Sequence, residues 1–127
     1  RNNGLIIQNL ISQKLVESVH DIALGGVLIT LSEMCISGKM GAKIKIPQKS
    51  LGIHEYLFGE DQSRYLVELD EKNKDKVIKI LDKNSIYYEL LGVTQKETLE
   101  INANESIKIS ELSKINNFWF KNYYEEL

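Results

Sequence analysis

The sequence predicts an α+β fold, a mostly antiparallel or mixed sheet packed with helices. Three observations predict it. Ala42-Lys43-Ile44-Lys45-Ile46 and Tyr65-Leu66-Val67-Glu68-Leu69 alternate with period two, as half-buried strands do. Leu99-Glu100-Ile101 and Ile107-Lys108-Ile109 flank a polar Asn-Ala-Asn-Glu turn and read as a hairpin. Segments with helical periodicity are interspersed among these strands.

Taken in order, Leu5, Ile6, Leu10, Ile11 and Leu15 form one helical stripe, with Gln8, Asn9, Gln13 and Lys14 on the other side. Val16 to Ile22 reads as a short strand entering a turn. Gly25-Gly26 opens an apolar stretch, Val27 to Ile36, long enough for a buried helix, which Gly38 and Gly41 stop. Pro47 ends the Ala42–Ile46 strand because a proline cannot donate to a ladder. Leu51 to Phe58 is a short helix. Lys72 to Lys83 is an amphipathic helix with Val77, Ile78, Ile80 and Leu81 inward. Ile86 to Val93 returns as a strand. Ser110, whose hydroxyl oxygen can accept from the free amides of a first turn, caps a last helix running through Trp119 to Leu127.

The length, 127 residues, fits one domain, residues 1–127, able to bury roughly two thirds of its unfolded surface without disulfides or a structural metal. Cys35 is the only cysteine, so no internal bridge and no cysteine–histidine cluster exists. The net charge is −2, against a partner bound mainly through a phosphate backbone, so no nucleic acid is expected. No apolar run approaches the roughly 18 residues needed to cross a bilayer, so no membrane is expected and the location is read as cytoplasmic. The chain opens on Arg1 rather than Met, so it is read as processed or as a fragment of a longer protein.

Two stretches can carry chemistry. In the first, His20-Asp21 ends a strand and Gly25-Gly26 sits where a helix begins. Glycines there let backbone approach a ligand closely, and first-turn amides favour a phosphate. The same pattern also describes a tight strand-to-helix turn in which Asp21 caps amides and His20 is a half-buried imidazole. Both readings stay open. In the second, Phe58-Gly59-Glu60-Asp61-Gln62-Ser63-Arg64 places two carboxylates and a guanidinium in a loop. Arg64 can grip a phosphate or carboxylate, but taken alone an intramolecular Glu60–Arg64 or Asp61–Arg64 pair is the better reading. His54 reads as a surface residue, Cys35 as core, and the lysines from Lys72 to Lys79 as a solvated helix face. Phe118, Trp119, Phe120, Tyr123 and Tyr124 read as core or a docking face rather than a base-stacking platform. No phosphate-binding loop, dinucleotide fingerprint, nucleophile elbow or zinc spacing occurs.

At these residues the sequence resembles a known superfamily. Ser18-Val19-His20-Asp21-Ile22-Ala23-Leu24-Gly25-Gly26-Val27, continuing to Glu33-Met34, is similar to the His-Asp-x-Ser-x-Gly-Gly-Leu and Ala-Leu-x-Glu-Met pattern of the C-terminal domain shared by aminoimidazole ribonucleotide (AIR) synthase relatives. Leu57-Phe58-Gly59-Glu60-Asp61-Gln62-Ser63-Arg64 resembles the Leu-Phe-(Gly/Ser)-Glu-x-x-x-Arg run of the phosphoribosylformylglycinamidine synthases within it. One departure is Ala23 in place of the motif's serine, with Leu24 after it, which removes a hydroxyl from a direct ligand role and leaves backbone amides.

The resemblance implies a fold and a role. It implies a domain of an ATP-dependent ligase that converts formylglycinamide ribonucleotide and glutamine-derived ammonia to the amidine in purine biosynthesis. ATP and magnesium would be handled by preceding domains of the same polypeptide, with none bound by this domain alone, which would be inert in isolation. Glutaminase and small accessory subunits would be partners. His20, Asp21, Gly25 and Gly26 would lie nearest bound ribonucleotide or nucleotide phosphate, Glu60 and Arg64 would organise the cleft or a domain contact, and no catalytic or metal-ligating residue is assigned. Alternatives are another superfamily member, such as AIR synthase, thiamine-monophosphate kinase or the hydrogenase maturation protein, or a non-catalytic interaction module. A fragment normally covered by a neighbour should expose an apolar patch of roughly several hundred square ångströms.

Overall fold

The computed structural model describes residues 2–47 and 52–125. In chain order the elements are α1 (Asn2–Ser12), β1 (Ser18–Asp21), α2 (Gly26–Gly38), β2 (Gly41–Ile44), α3 (Ile53–Phe58), β3 (Tyr65–Glu68), α4 (Lys74–Lys83), β4 (Gly92–Gln95), β5 (Thr98–Ile101), β6 (Glu105–Lys108) and α5 (Ile109–Glu125), with a 3-10 turn at Glu71–Asn73 leading into α4. This is the α+β class expected. Leu51 and Leu127, the expected ends of two helices, lie outside the described residues. The chain packs as two compact units, Arg1–Thr30 with His54–Leu90 and Leu31–Ile53 with Leu91–Leu127.

In the first unit, β1 and β3 pair antiparallel from Ser18 opposite Glu68 to Asp21 opposite Tyr65. Backbone bonds from Glu17 to Glu68 and from Ile22 to Arg64 extend the pairing beyond both ends, which accounts for the longer strand expected from Val16 to Ile22. Ile6, Ile7 and Leu10 of α1 and Val77, Ile80 and Leu81 of α4 meet in a core with Leu15, Val16 and Leu69, whereas Leu5 and Ile11, expected on the same stripe of α1, are exposed. The Asp70 carboxylate accepts from the Lys72 amide and so starts the 3-10 turn. The lysine face of α4 is solvated and ion-paired at its start, with Lys72 on Asp70 and Lys74 on Glu71.

In the second unit the sheet order is β4-β2-β5-β6. β2 is antiparallel to β4 and parallel to β5, and β5 is antiparallel to β6, so the sheet is mixed. The period-two reading of β2 holds, with Ala42, Ile44 and Ile46 buried and Lys43 outward, where it bonds its register partner Glu100 at 2.8 Å. The β5–β6 loop places Asn102 and Ala103 at φ +52° and +60°. Asn102 tolerates this region, and its side chain accepts from the Ile46 amide at 2.8 Å, tying the loop to the end of β2. In α2, the buried Val27, Thr30, Leu31 and Cys35 fall at helical spacing, which puts Cys35 in the core as expected.

Two further expectations are corrected. Residues 86–91 are irregular, and the strand expected over Ile86–Val93 is instead Gly92–Gln95. Tyr87 and Leu90 are both 72% exposed, so their spacing has no buried face to serve. Pairing begins at Gly92 because only a residue without Cβ admits the Lys43 carbonyl there. Ser110 is not a cap. The Ile109 amide donates to Glu97, Ile109 is buried, and α5 has already begun, so Ser110 stands inside its first turn.

Asn102→Ala should lower the unfolding free energy by about 1–2 kcal/mol, through the lost Ile46 bond and the strain of alanine at positive φ, as urea unfolding would measure.

Candidate functional site

The two motif stretches meet within the first unit. β1 ends at Asp21, and the chain turns through Ala23-Leu24-Gly25-Gly26 with the Gly26 amide bonded to the Ala23 carbonyl. Gly25 and Gly26 stand at φ +80° and +70°, conformations that L side chains rarely adopt. A Cβ on Gly26 would lie 2.6–2.7 Å from the backbone of Leu57 and Phe58. Gly26 is therefore required by the close approach of α2's first turn to the end of α3, within the protein itself. The Gly25 amide is also engaged, donating to Glu60 Oε1 at 2.8 Å. A carboxylate occupies the place at the helix start where an anionic ligand was expected.

The loop after α3 arranges the charges. Arg64 Nη1 bonds Asp61 Oδ2 at 3.2 Å and the Gly59 carbonyl at 3.4 Å. The Arg64 guanidinium stands 5.8 Å from the centre of the Tyr56 ring, within cation–π range. The intramolecular pair is thus Asp61–Arg64, which leaves Glu60 to reach the glycine turn. Ser63 takes φ +65°, and its carbonyl accepts from Asn3 Nδ2 at 2.8 Å. The Tyr56 hydroxyl donates to Glu89 Oε2 at 3.3 Å, and the Tyr87 hydroxyl bonds the other oxygen. Burial, and then the nearby Glu89 carboxylate, push the Tyr56 phenol above its ordinary value of 10.0, with Arg64 acting the other way.

An open concavity of about 420 Å³ lies over this junction, lined by Asp21, Ile22, Ala23, Leu24, Glu60, Gln62, Ser63, Arg64 and Tyr65. Of the expected site residues Asp21, Glu60 and Arg64 line it, whereas His20, Gly25 and Gly26 do not. His20 Nδ1 lies 2.7 Å from the Asp21 carbonyl and 3.6 Å from Asp21 Oδ1. The lining offers two carboxylates that can accept from hydroxyls and one guanidinium that can hold an anionic group. Among the described residues no group of three or more His, Cys, Asp or Glu is placed to hold a metal ion. Sequence reasoning missed Tyr56, Glu89, Gln62, Ser63 and Tyr65. Tyr56 and Glu89 acquire their part only by folding beside Arg64, and no local pattern marks them.

Gly26→Ala should cost about 2–4 kcal/mol, because the turn must shift and the added methyl sits at positive φ, whereas Gly38→Ala, with open space around its Cβ, should be neutral or stabilising by up to about 1 kcal/mol; thermal unfolding reads both. The raised Tyr56 pKa means the folded state keeps its proton longer than the unfolded chain. Its contribution is intact below pH 10 and is lost as pH rises through the folded pKa. Tyr56→Phe should flatten that alkaline decline in a stability–pH series.

Comparison with known proteins places these features. The family model described as AIR synthase related protein, C-terminal domain, matches residues 4–102. The phosphoribosylformylglycinamidine synthase subunit PurL of Pelagibacter ubique is 40% identical over 125 residues, which is 98% of this chain and 17% of that subunit. The PurL subunit of Parvibaculum lavamentivorans is 34% identical over 97% of this chain and 16% of its own length. The chain thus spans about a sixth of the curated relatives it matches. Among solved structures, Thermotoga maritima PurL complexed with FGAR (TM-score 0.72, 20% identity, 87% of this chain, 21% of that one) and complexed with AMPPCP (TM-score 0.74, 20% identity, 85% and 20%) share the fold. No described helix is long and apolar enough to cross a membrane. The matched model covers β1, the glycine turn and the Glu60–Arg64 loop, and the chain belongs to the AIR synthase related protein family, as its C-terminal domain.

Proposed function

We propose that residues 1–127 act as one C-terminal domain of a phosphoribosylformylglycinamidine synthase, the ATP-dependent ligase that makes formylglycinamidine ribonucleotide from formylglycinamide ribonucleotide and glutamine-derived ammonia. The observation that carries this reading is the 40% identity to a subunit of that name along 98% of the chain, through both motif stretches, which Glu60 and Gly25 join at 2.8 Å. Solved Thermotoga maritima PurL structures hold FGAR and ATP, which supports nucleotide and ribonucleotide use by proteins of this fold.

In this reading the domain walls a cytoplasmic enzyme's cleft and is inert alone. The His20-Asp21 and Gly25-Gly26 segment lies nearest the ribonucleotide or nucleotide phosphate. Arg64, oriented by Tyr56 and Asp61, supplies the cation on this wall, and Asp21 and Glu60 take hydroxyl donors. A phosphate reaching the Gly25 amide has to displace Glu60. ATP and magnesium are handled by other domains of the same polypeptide, and a glutaminase and a small accessory subunit supply and channel ammonia.

Steady-state kinetics of the full-length synthetase tests this. Arg64→Ala should lower kcat/KM for the ribonucleotide at least about tenfold, roughly 1.4 kcal/mol of lost binding, while the exposed His54→Ala stays within about twofold. Equal activity for both variants removes the Arg64 loop from the site. A natural gene product no heavier than the 14.6 kDa of this chain overturns the domain reading itself.

A further inference from the structure

The last helix is the least accounted-for part of the molecule. It contacts the second unit through its start, where Ile109 is buried and Leu112 and Ser113 are half-buried. Beyond Lys114, every residue whose side chain is described is exposed, through to Tyr124. The exposed set includes Ile115 at 60%, Phe118 at 52%, Trp119 at 61% and Tyr123 at 57%. Ile115, Trp119 and Tyr123 recur at helical spacing, with Phe118 beside them, and the Trp119 and Tyr123 rings stand 6.4 Å apart. From Ile115 to Phe120 no residue is charged. Aromatic enrichment with charge depletion is the composition of an interface centre.

The choice of occupant follows from where the helix falls in its relatives. The family model's match ends at residue 102, before α5 begins. The Pelagibacter ubique subunit nevertheless aligns over 98% of this chain, and there this stretch is 17% of a single polypeptide. The remainder of such a chain is tethered to α5 at an effective concentration of roughly millimolar, ahead of any separate partner. We propose that the face formed by Ile115, Phe118, Trp119 and Tyr123 docks against another domain of the same polypeptide. The inference rests on the reading that this chain is one domain of a longer synthetase.

Hydroxyl-radical footprinting of the full-length polypeptide, purified without other subunits, tests it. Trp119 and Tyr123 should be modified at least about fivefold more slowly than in the same polypeptide unfolded in urea, and equally so at two protein concentrations about a hundredfold apart, because intramolecular docking does not follow mass action between molecules. Modification at the unfolded rate overturns the proposal. Protection lost on dilution assigns the face to a second copy, and protection that appears only when another subunit is added assigns it to that subunit; either overturns docking in the same chain. Synthetase activity of the same preparation, assayed with ammonium as the nitrogen source, reports separately on the functional reading, so an inactive polypeptide with a protected α5 sinks that reading and keeps the docking.

Discussion

The hydrogen bond from the Gly25 amide to the Glu60 carboxylate, with Gly26 pressed against the end of α3, is the constraint on which the candidate site depends. It joins two stretches 35 residues apart in sequence. Neither partner is replaceable by local propensity. Two successive positive-φ residues are costly for any side chain, and Glu60 bonds the amide while Asp61 pairs with the arginine. The floor of the concavity is a consequence of this junction, since Asp21 to Leu24 come from one side of it and Glu60 to Tyr65 from the other.

The same bond changes the meaning of the glycines. A pair of glycines at a helix start invites the conclusion that backbone is being cleared for a phosphate. In this chain Gly26 is cleared for Leu57 and Phe58, and the Gly25 amide is neutralised by an internal carboxylate. The guanidinium of Arg64 is the cation that lines the concavity, and its bearing is set by the Tyr56 ring and the Asp61 carboxylate. Ala23 fits this arrangement, because a turn already satisfied by Glu60 has less need of a serine hydroxyl.

The second unit works by different means. Its sheet is anchored on β2, which pairs on both sides and whose last bonds run out to Asn102 in the β5–β6 loop. Only the start of α5 shares that packing, which leaves an apolar helix whose later turns are exposed. Ile115, Phe118, Trp119 and Tyr123 of those turns are exposed together, at helical spacing.

Periodicity carried the α+β class, the order of elements and most of their limits, because alternation along β2 and the 3.6-residue stripes of α1 and α4 are direct consequences of which side chains leave water. It failed at Ile86–Val93, where apolar spacing met no buried face, and at Ser110, where the helix started one residue early on a buried isoleucine. The site was legible as two charged or glycine-bearing loops, and their motif order carried the family. Which carboxylate paired with Arg64, what Gly26 was making room for, and that the Tyr56 ring stands under the guanidinium with its hydroxyl on Glu89 were decided only in three dimensions. Those outcomes rest on distances between residues remote in sequence, and a hydrogen bond of 2.8 Å between Gly25 and Glu60 leaves no periodic trace in either segment.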